Sequence, residues 1–170
     1  GEWRQAQIDT PWKGTDQHRW YRTKIQIPFS MREKHVEFWI STGREGQWDA
    51  TNPQMLFYLN GKIIQGIDVN HRRVLISKNA VSGEEYDIAL YAYSGTVEGD
   101  LIIHTGIEAL DEQVNQIYYD FMVPVQAARV LMKDKKDDAR KILLKLQNAA
   151  KTIDLRMPYS TQFYESVHKA

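Results

Sequence analysis

The 170-residue chain has no cysteine, so a disulfide scaffold, a thiol nucleophile and a thiolate zinc site are all excluded. Charge of one sign is also missing: 22 Lys and Arg face 22 Asp and Glu, which leaves no net field to gather phosphate backbones or anionic lipid. No window approaches the roughly 20 consecutive apolar residues of a spanning helix, and residues 1 to 20 hold no apolar run like a secretory signal core. Nucleic-acid and membrane roles therefore find no support, and the chain reads as a soluble globular protein. The common catalytic signatures are absent too: no GxxxxGK[ST], GxGxxG, HExxH, GxSxG or calcium loop occurs. Five widely spaced histidines (His18, His35, His71, His104, His168) form no HxH or HxxxH pair that would grip a metal from one element.

Two further absences divide the chain. All ten glycines lie at or before Gly106, and residues 122 to 158 contain no Phe, Trp or Tyr. Charge divides at the same place: residues 1 to 121 carry 12 basic and 17 acidic side chains, and residues 122 to 158 carry 9 and 4. A body rich in glycine, aromatic and β-branched residues, followed by one dominated by Leu, Ala, Lys and Asp, predicts a sheet with helices appended. The expected division is a β-sandwich over 1–121 and a helical segment over 122–170.

What is present gives the elements. Residues 19–28, 35–42, 54–60, 84–93, 100–108 and 112–121 read as short strands, with Tyr86, Ile88, Leu90 and Ala92 of the 84–93 strand on one face. Asn60-Gly61, between Leu-Phe-Tyr-Leu and Lys-Ile-Ile, is a type I′ hairpin signal, because that turn needs positive φ at both central residues. Six or more strands at this spacing predict a mainly β fold, an antiparallel jelly-roll-like sandwich, followed by two to three helices. Ala139, Ile142, Leu143, Leu146, Ala149, Ala150 and Ile153 predict a helix from near Asp137. A shorter helix is expected from Pro124, in its first turn, to about Met132, and another opening at an Ser160 N-cap. That last pattern is still helical at Ala170, so the chain reads as a piece of a longer protein.

Candidate chemistry is sparse. Glu84 and Glu85 are adjacent in a strand entry and point to opposite faces, so they read as a solvated pair rather than a catalytic one. The densest polar cluster is Gly66-Ile67-Asp68-Val69-Asn70-His71-Arg72-Arg73. Asp68, Asn70 and His71 suit contact with a neighbouring domain or a sugar hydroxyl; the alternative is that Asp68 and Asn70 make turn-forming bonds to the backbone and His71 lies against the sheet rim. Trp39 is expected in the core, whereas Trp12 and Trp48, in loops, are the tryptophans free to be exposed. The run Lys133-Asp134-Lys135-Lys136 reads as a solvated helix junction.

The string FYLNGKIIQGIDVNHRRVLI (57–76), followed by GEEYDIALYAYSG (83–95), resembles the region before the catalytic domain in family-38 glycoside hydrolases. These are the α-mannosidases of the cytosolic, vacuolar and bacterial branch. Asn60, Gly61, Gly66, Asp68, Asn70, His71, Gly83, Glu84, Tyr86 and Gly95 stand where that pattern places them, and Trp20-Tyr21-Arg22 with Ile27-Pro28 resembles the opening of the sandwich. The resemblance implies an amino-terminal accessory domain and a connector, working against the enzyme's own catalytic domain in a homo-oligomeric, cytoplasmic enzyme that cleaves terminal α-mannosides. It also implies a zinc ion and an aspartate nucleophile in that catalytic domain, but no residue here matches those motifs. No catalytic residue, metal ligand or cofactor is therefore expected in this chain; Asp68, Asn70, His71 and Trp48 remain the candidates for interdomain or ligand contact. A carbohydrate-binding module and a protein-interaction module using the helices are the alternatives.

Overall fold

The computed structural model describes residues 3–5, 11–44, 53–98 and 101–170. It divides into two compact units, Gly1–Leu110 and Asp111–Ala170. In the first, seven strands run as β1 (His18–Gln26), β2 (His35–Ser41), β3 (Gln54–Leu59), β4 (Lys62–Ile67), β5 (Arg73–Ser77), β6 (Glu85–Tyr93) and β7 (His104–Leu110). They form two antiparallel sheets, one ordered β1-β6-β3-β4 and the other β5-β2-β7. This is the mainly β, jelly-roll-like sandwich with helices after it that composition and periodicity predicted.

The sheets face each other because strict alternation gives each one an apolar side. In β6, Tyr86, Ile88, Leu90 and Ala92 are buried, and in β2, Val36, Phe38 and Ile40 are. Met55 and Phe57 of β3, Ile67 of β4 and Val74 and Ile76 of β5 complete the interior. Phe38 from one sheet meets Phe57 from the other at 5.2 Å between ring centroids. Trp39, expected in the core, has the opposite parity in β2 and lies half-buried on the outer face. Its cross-strand partner is Gly106, where any Cβ would come within 2.8 Å of the indole, so the glycine makes room for the ring. Trp12, expected to be free for exposure, is 2% exposed: its backbone bridges to Leu101 and its indole N–H donates to the side-chain oxygen of Gln17 at 3.1 Å. Burial of Trp12 thus comes from a long-range bridge that a local reading of a loop cannot supply.

Asn60 and Gly61 adopt φ of 48° and 78°, the type I′ turn, between the paired residues Leu59 and Lys62. Asn60 does more than turn. Its amide N–H donates to the Asp87 carbonyl at 2.8 Å, and its side-chain oxygen accepts from the Asp87 amide at 2.9 Å, extending the β3–β6 ladder by one step. Past the turn, the β3–β4 register shifts between Phe57 and Tyr58, a bulge that leaves Ile63 and Ile64 both exposed. β5 was not foreseen; Arg73 in it forms an ion pair with Glu108 and lies 3.5 Å from Glu37, neutralising two carboxylates that face each other across β2 and β7.

The second unit holds α1 (Glu112–Leu131), α2 (Lys136–Thr152) and α3 (Thr161–Lys169). Residues 112–121 were expected as a strand and are the first half of α1, with Pro124 inside this helix rather than in its first turn. The reason is local: Asp111 caps the helix by accepting from the amides of Gln113 (3.1 Å) and Val114 (3.0 Å), and Val114, Ile117 and Phe121 fall on one helical face. The dividing line of the fold therefore precedes the one in composition. Counted at 110/111, the two units carry 12 basic and 14 acidic, and 10 basic and 8 acidic, side chains. In α2 the apolar stripe narrows to Ala139, Ile142, Leu146 and Ala149, while Leu143 and Ala150 are exposed. Ser160 caps α3 as predicted, accepting from the Phe163 amide at 3.2 Å. No helix among the described residues is long and apolar enough to cross a membrane.

Asn60 makes a graded test of the hairpin. Replacement by glycine keeps the positive φ and the backbone bond but loses the side-chain bond to Asp87, a cost of about 1 kcal/mol, whereas alanine also strains the backbone, for about 2 to 3 kcal/mol in total. Urea unfolding of Asn60→Gly and Asn60→Ala checks this order.

In the helical unit the Tyr164 hydroxyl donates to Asp111 Oδ2 at 2.5 Å, and this bond, then desolvation and the nearby negative charge, pushes the phenol up to about 12. Because the folded value lies above the ordinary 10, the stabilisation is complete below pH 10 and is lost as pH rises through about 12. Ultraviolet titration should show one of the nine tyrosines ionising near 12, and Tyr164→Phe should remove that step.

Candidate functional site

The sequence singled out the segment after β4, and the structure shows how its side chains are arranged. The Asp68 Oδ1 accepts from the backbone amides of Asn70 and His71, each at 2.8 Å, so the carboxylate closes its own turn. The His71 ring returns to the same group, with Nδ1 at 2.9 Å from Oδ1 and 3.1 Å from Oδ2. Partial burial works to raise the Asp68 pKa, and the two amides and the His71 ring together outweigh it, so the carboxyl titrates below its ordinary value. With Nδ1 turned to Asp68, Nε2 is the ring nitrogen directed elsewhere; the His71 side chain is 70% exposed. Asn70 enters the turn through its backbone amide and is itself exposed. Trp48 lies outside the described residues. Of the four candidates, three are thus in one turn, and the side chains of Asp68 and His71 are in direct contact.

Asp68 and His71 also line an open groove of about 620 Å³ on the outer face of the four-stranded sheet. Its other walls come from Gln54, Met55 and Leu56 of β3, Gly66 and Ile67 of β4, and Tyr91 and Tyr93 of β6. Tyr91 and Tyr93, not among the candidates above, carry a signal in the sequence: their parity is opposite to that of Leu90 and Ala92, which points them away from the core. Trp20, on the same face of β1, is 49% exposed. Elsewhere, Glu85 pairs with Lys24 at 3.4 Å, and Lys24 also reaches Asp87 at 3.2 Å, so this acidic residue is a surface ion-pair partner. Lys133–Lys136 lies exposed at the junction of α1 and α2. Among the described residues, no three His, Asp or Glu side chains gather in a way that would hold a metal ion, so zinc finds no donor set among them.

A family model for the α-mannosidase jelly-roll domain, the Ams1-like first domain, matches residues 1–97, more than half of the chain and the part that contains β1 to β6. The chain belongs to this family. The resemblance to α-mannosidases read from the Asn60–Gly95 residues is thereby borne out, and those residues form the hairpin, turn and β6 strand of the α-mannosidase jelly roll. No curated protein matches the chain. Among the described residues of this jelly-roll domain, the Asp68 turn and the groove beside it bring candidate polar residues next to the half-buried rings of Tyr91 and Tyr93.

The turn has a measurable signature. Asp68→Ala removes the acceptor of two backbone amides at a partly exposed position, for an expected loss of about 1 kcal/mol. Since the folded pKa is depressed, that contribution is present above the ordinary carboxylate value of 3.8 and is lost as pH falls below it. The gap between wild type and Asp68→Ala in urea unfolding should be full at pH 6 and should close toward pH 3.

Proposed function

We propose that this chain is the amino-terminal accessory part of a zinc-dependent, retaining α-mannosidase of glycoside hydrolase family 38, and that its role is structural and interdomain rather than catalytic. The observation that carries the reading is the match of residues 1–97 to the α-mannosidase jelly-roll domain. In the parent enzyme an aspartate would attack the anomeric carbon and the metal would hold mannose hydroxyls, both supplied by a catalytic domain that this sequence does not contain. The Asp68 turn supports the interdomain part of the proposal. It is pre-organised by its own hydrogen bonds, and it holds His71 outward at the rim of the sheet, where loops carried by a rigid scaffold commonly make contacts. The parent is proposed to be a cytoplasmic homo-oligomer.

The chain by itself is expected to release no nitrophenol from a chromogenic α-mannoside, with or without added zinc. Turnover that is clearly above background and vanishes in His71→Ala or Asp68→Ala would overturn the assignment. In the full-length enzyme, His71→Ala should weaken thermal stability or activity while leaving the isolated chain's unfolding free energy within about 0.5 kcal/mol of wild type.

A further inference from the structure

The outer face of the four-stranded sheet carries an arrangement that a packing role does not require. Register sets His18 opposite Tyr93 and Trp20 opposite Tyr91 on one side of β6, and Gln54 opposite Tyr93 and Leu56 opposite Tyr91 on the other. The His18 ring stacks on Tyr93 at 4.9 Å and 29°, and on Tyr91 at 5.4 Å and 15°. Trp20 lies 4.9 Å from Tyr91. Both tyrosines are therefore buttressed from β1, and on the β3 side they line the groove. Across from them, Gly66 stands opposite Leu56 and contributes no side chain, which leaves the floor open.

The lining decides the ligand class. Aromatic and aliphatic surface from Tyr91, Tyr93 and Leu56 lies beside the amide of Gln54 and the Asp68–His71 pair, and among the described residues no Lys or Arg lines the groove. A phosphate or carboxylate ligand would find one carboxylate and no lysine or arginine. A neutral ring with apolar C–H faces and a rim of hydroxyls fits both halves of the lining, and about 620 Å³ lies within the range of roughly 300 to 1,000 Å³ usual for small-molecule sites.

We propose that this groove binds a neutral hexopyranoside. One sugar face packs on Tyr91 and Tyr93, and the hydroxyls bond to Gln54, Asp68 and His71 Nε2. The sugar class follows from the lining alone; the preference for a mannoside rests on the mannosidase reading above.

Gly66 supplies the test. A Cβ there meets only the Met55 carbonyl oxygen, at 3.9 Å, and its φ is not positive, so Gly66→Leu fills the groove with no backbone conflict. The isotope-labelled 170-residue chain is titrated with methyl α-mannopyranoside, methyl α-glucopyranoside and methyl β-galactopyranoside, with amide shifts as the readout. Saturable shifts at Gly66, His71, Tyr91 and Tyr93 are expected, with a Kd of about 1 to 20 mM, weakened about tenfold or more in Tyr91→Ala. Gly66→Leu should abolish the saturable shifts at the other three positions while keeping the rest of the spectrum and the unfolding midpoint. No saturation by any of the three glycosides at about 100 mM, or saturation that persists in Gly66→Leu, would overturn the proposal. Saturation by the glucoside or galactoside alone would uphold the sugar groove and count against the mannoside preference only.

Discussion

Contact between Phe38 and Phe57 across the interior, 5.2 Å apart, is the point at which two separate sheets become one sandwich. Each ring is essentially inaccessible, and burying such a side chain is worth about 1.5 to 3 kcal/mol. Because strand side chains alternate, committing these two residues inward also fixes the facing of every other residue in β2 and β3. Leu56 must then point outward, as must its neighbours Tyr91 and Gly66 in register. Core burial thus sets which residues face the outer groove.

That dependence passes through a single tight turn. Asn60-Gly61 determines how β4 returns along β3, and the Asn60 side chain adds a bond to β6, so three strands of the sheet are locked in register at one end. A slip by one residue would bring Gly66 inward and carry the Asp68 turn to a different height on the sheet edge. The bulge near Phe57 and Tyr58 absorbs the mismatch, leaving Ile63 and Ile64 exposed without disturbing the Met55–Ile67 pair in the interior. Below this frame, the turn at Asp68 is held by its own carboxylate, and His71 is held by Asp68. Positioning of the candidate side chains is thus local in its last step and global in every earlier one.

Much of the fold was legible because its signals are local. Alternation in β6, the turn at Asn60-Gly61, the stripe along α2 and the Ser160 cap each need only neighbouring residues to be recognised. The strand expected over 112–121 shows the limit. Val114, Ile117, Tyr118, Tyr119 and Phe121 have β-forming side chains, yet Asp111 captures two amides and starts a helix, so a cap outweighed propensity. Tryptophan placement failed for a complementary reason. Trp12 is buried by a bridge to Leu101, and Trp39 lies outside its core because a glycine 67 positions away gives its ring a place to rest.

By itself, the sequence determined the class of fold, the family and the composition of the turn that follows the hairpin. Periodicity, positive-φ residues and a run of matching positions are properties of the linear chain. Only the tertiary structure decided that His18, Gln54, Gly66, His71, Tyr91 and Tyr93, from β1, β3, β4, β6 and the loop after β4, share one outer surface. The physical reason is that cross-strand neighbours are chosen by sheet order and register, and the order β1-β6-β3-β4 brings together residues that lie far apart along the chain.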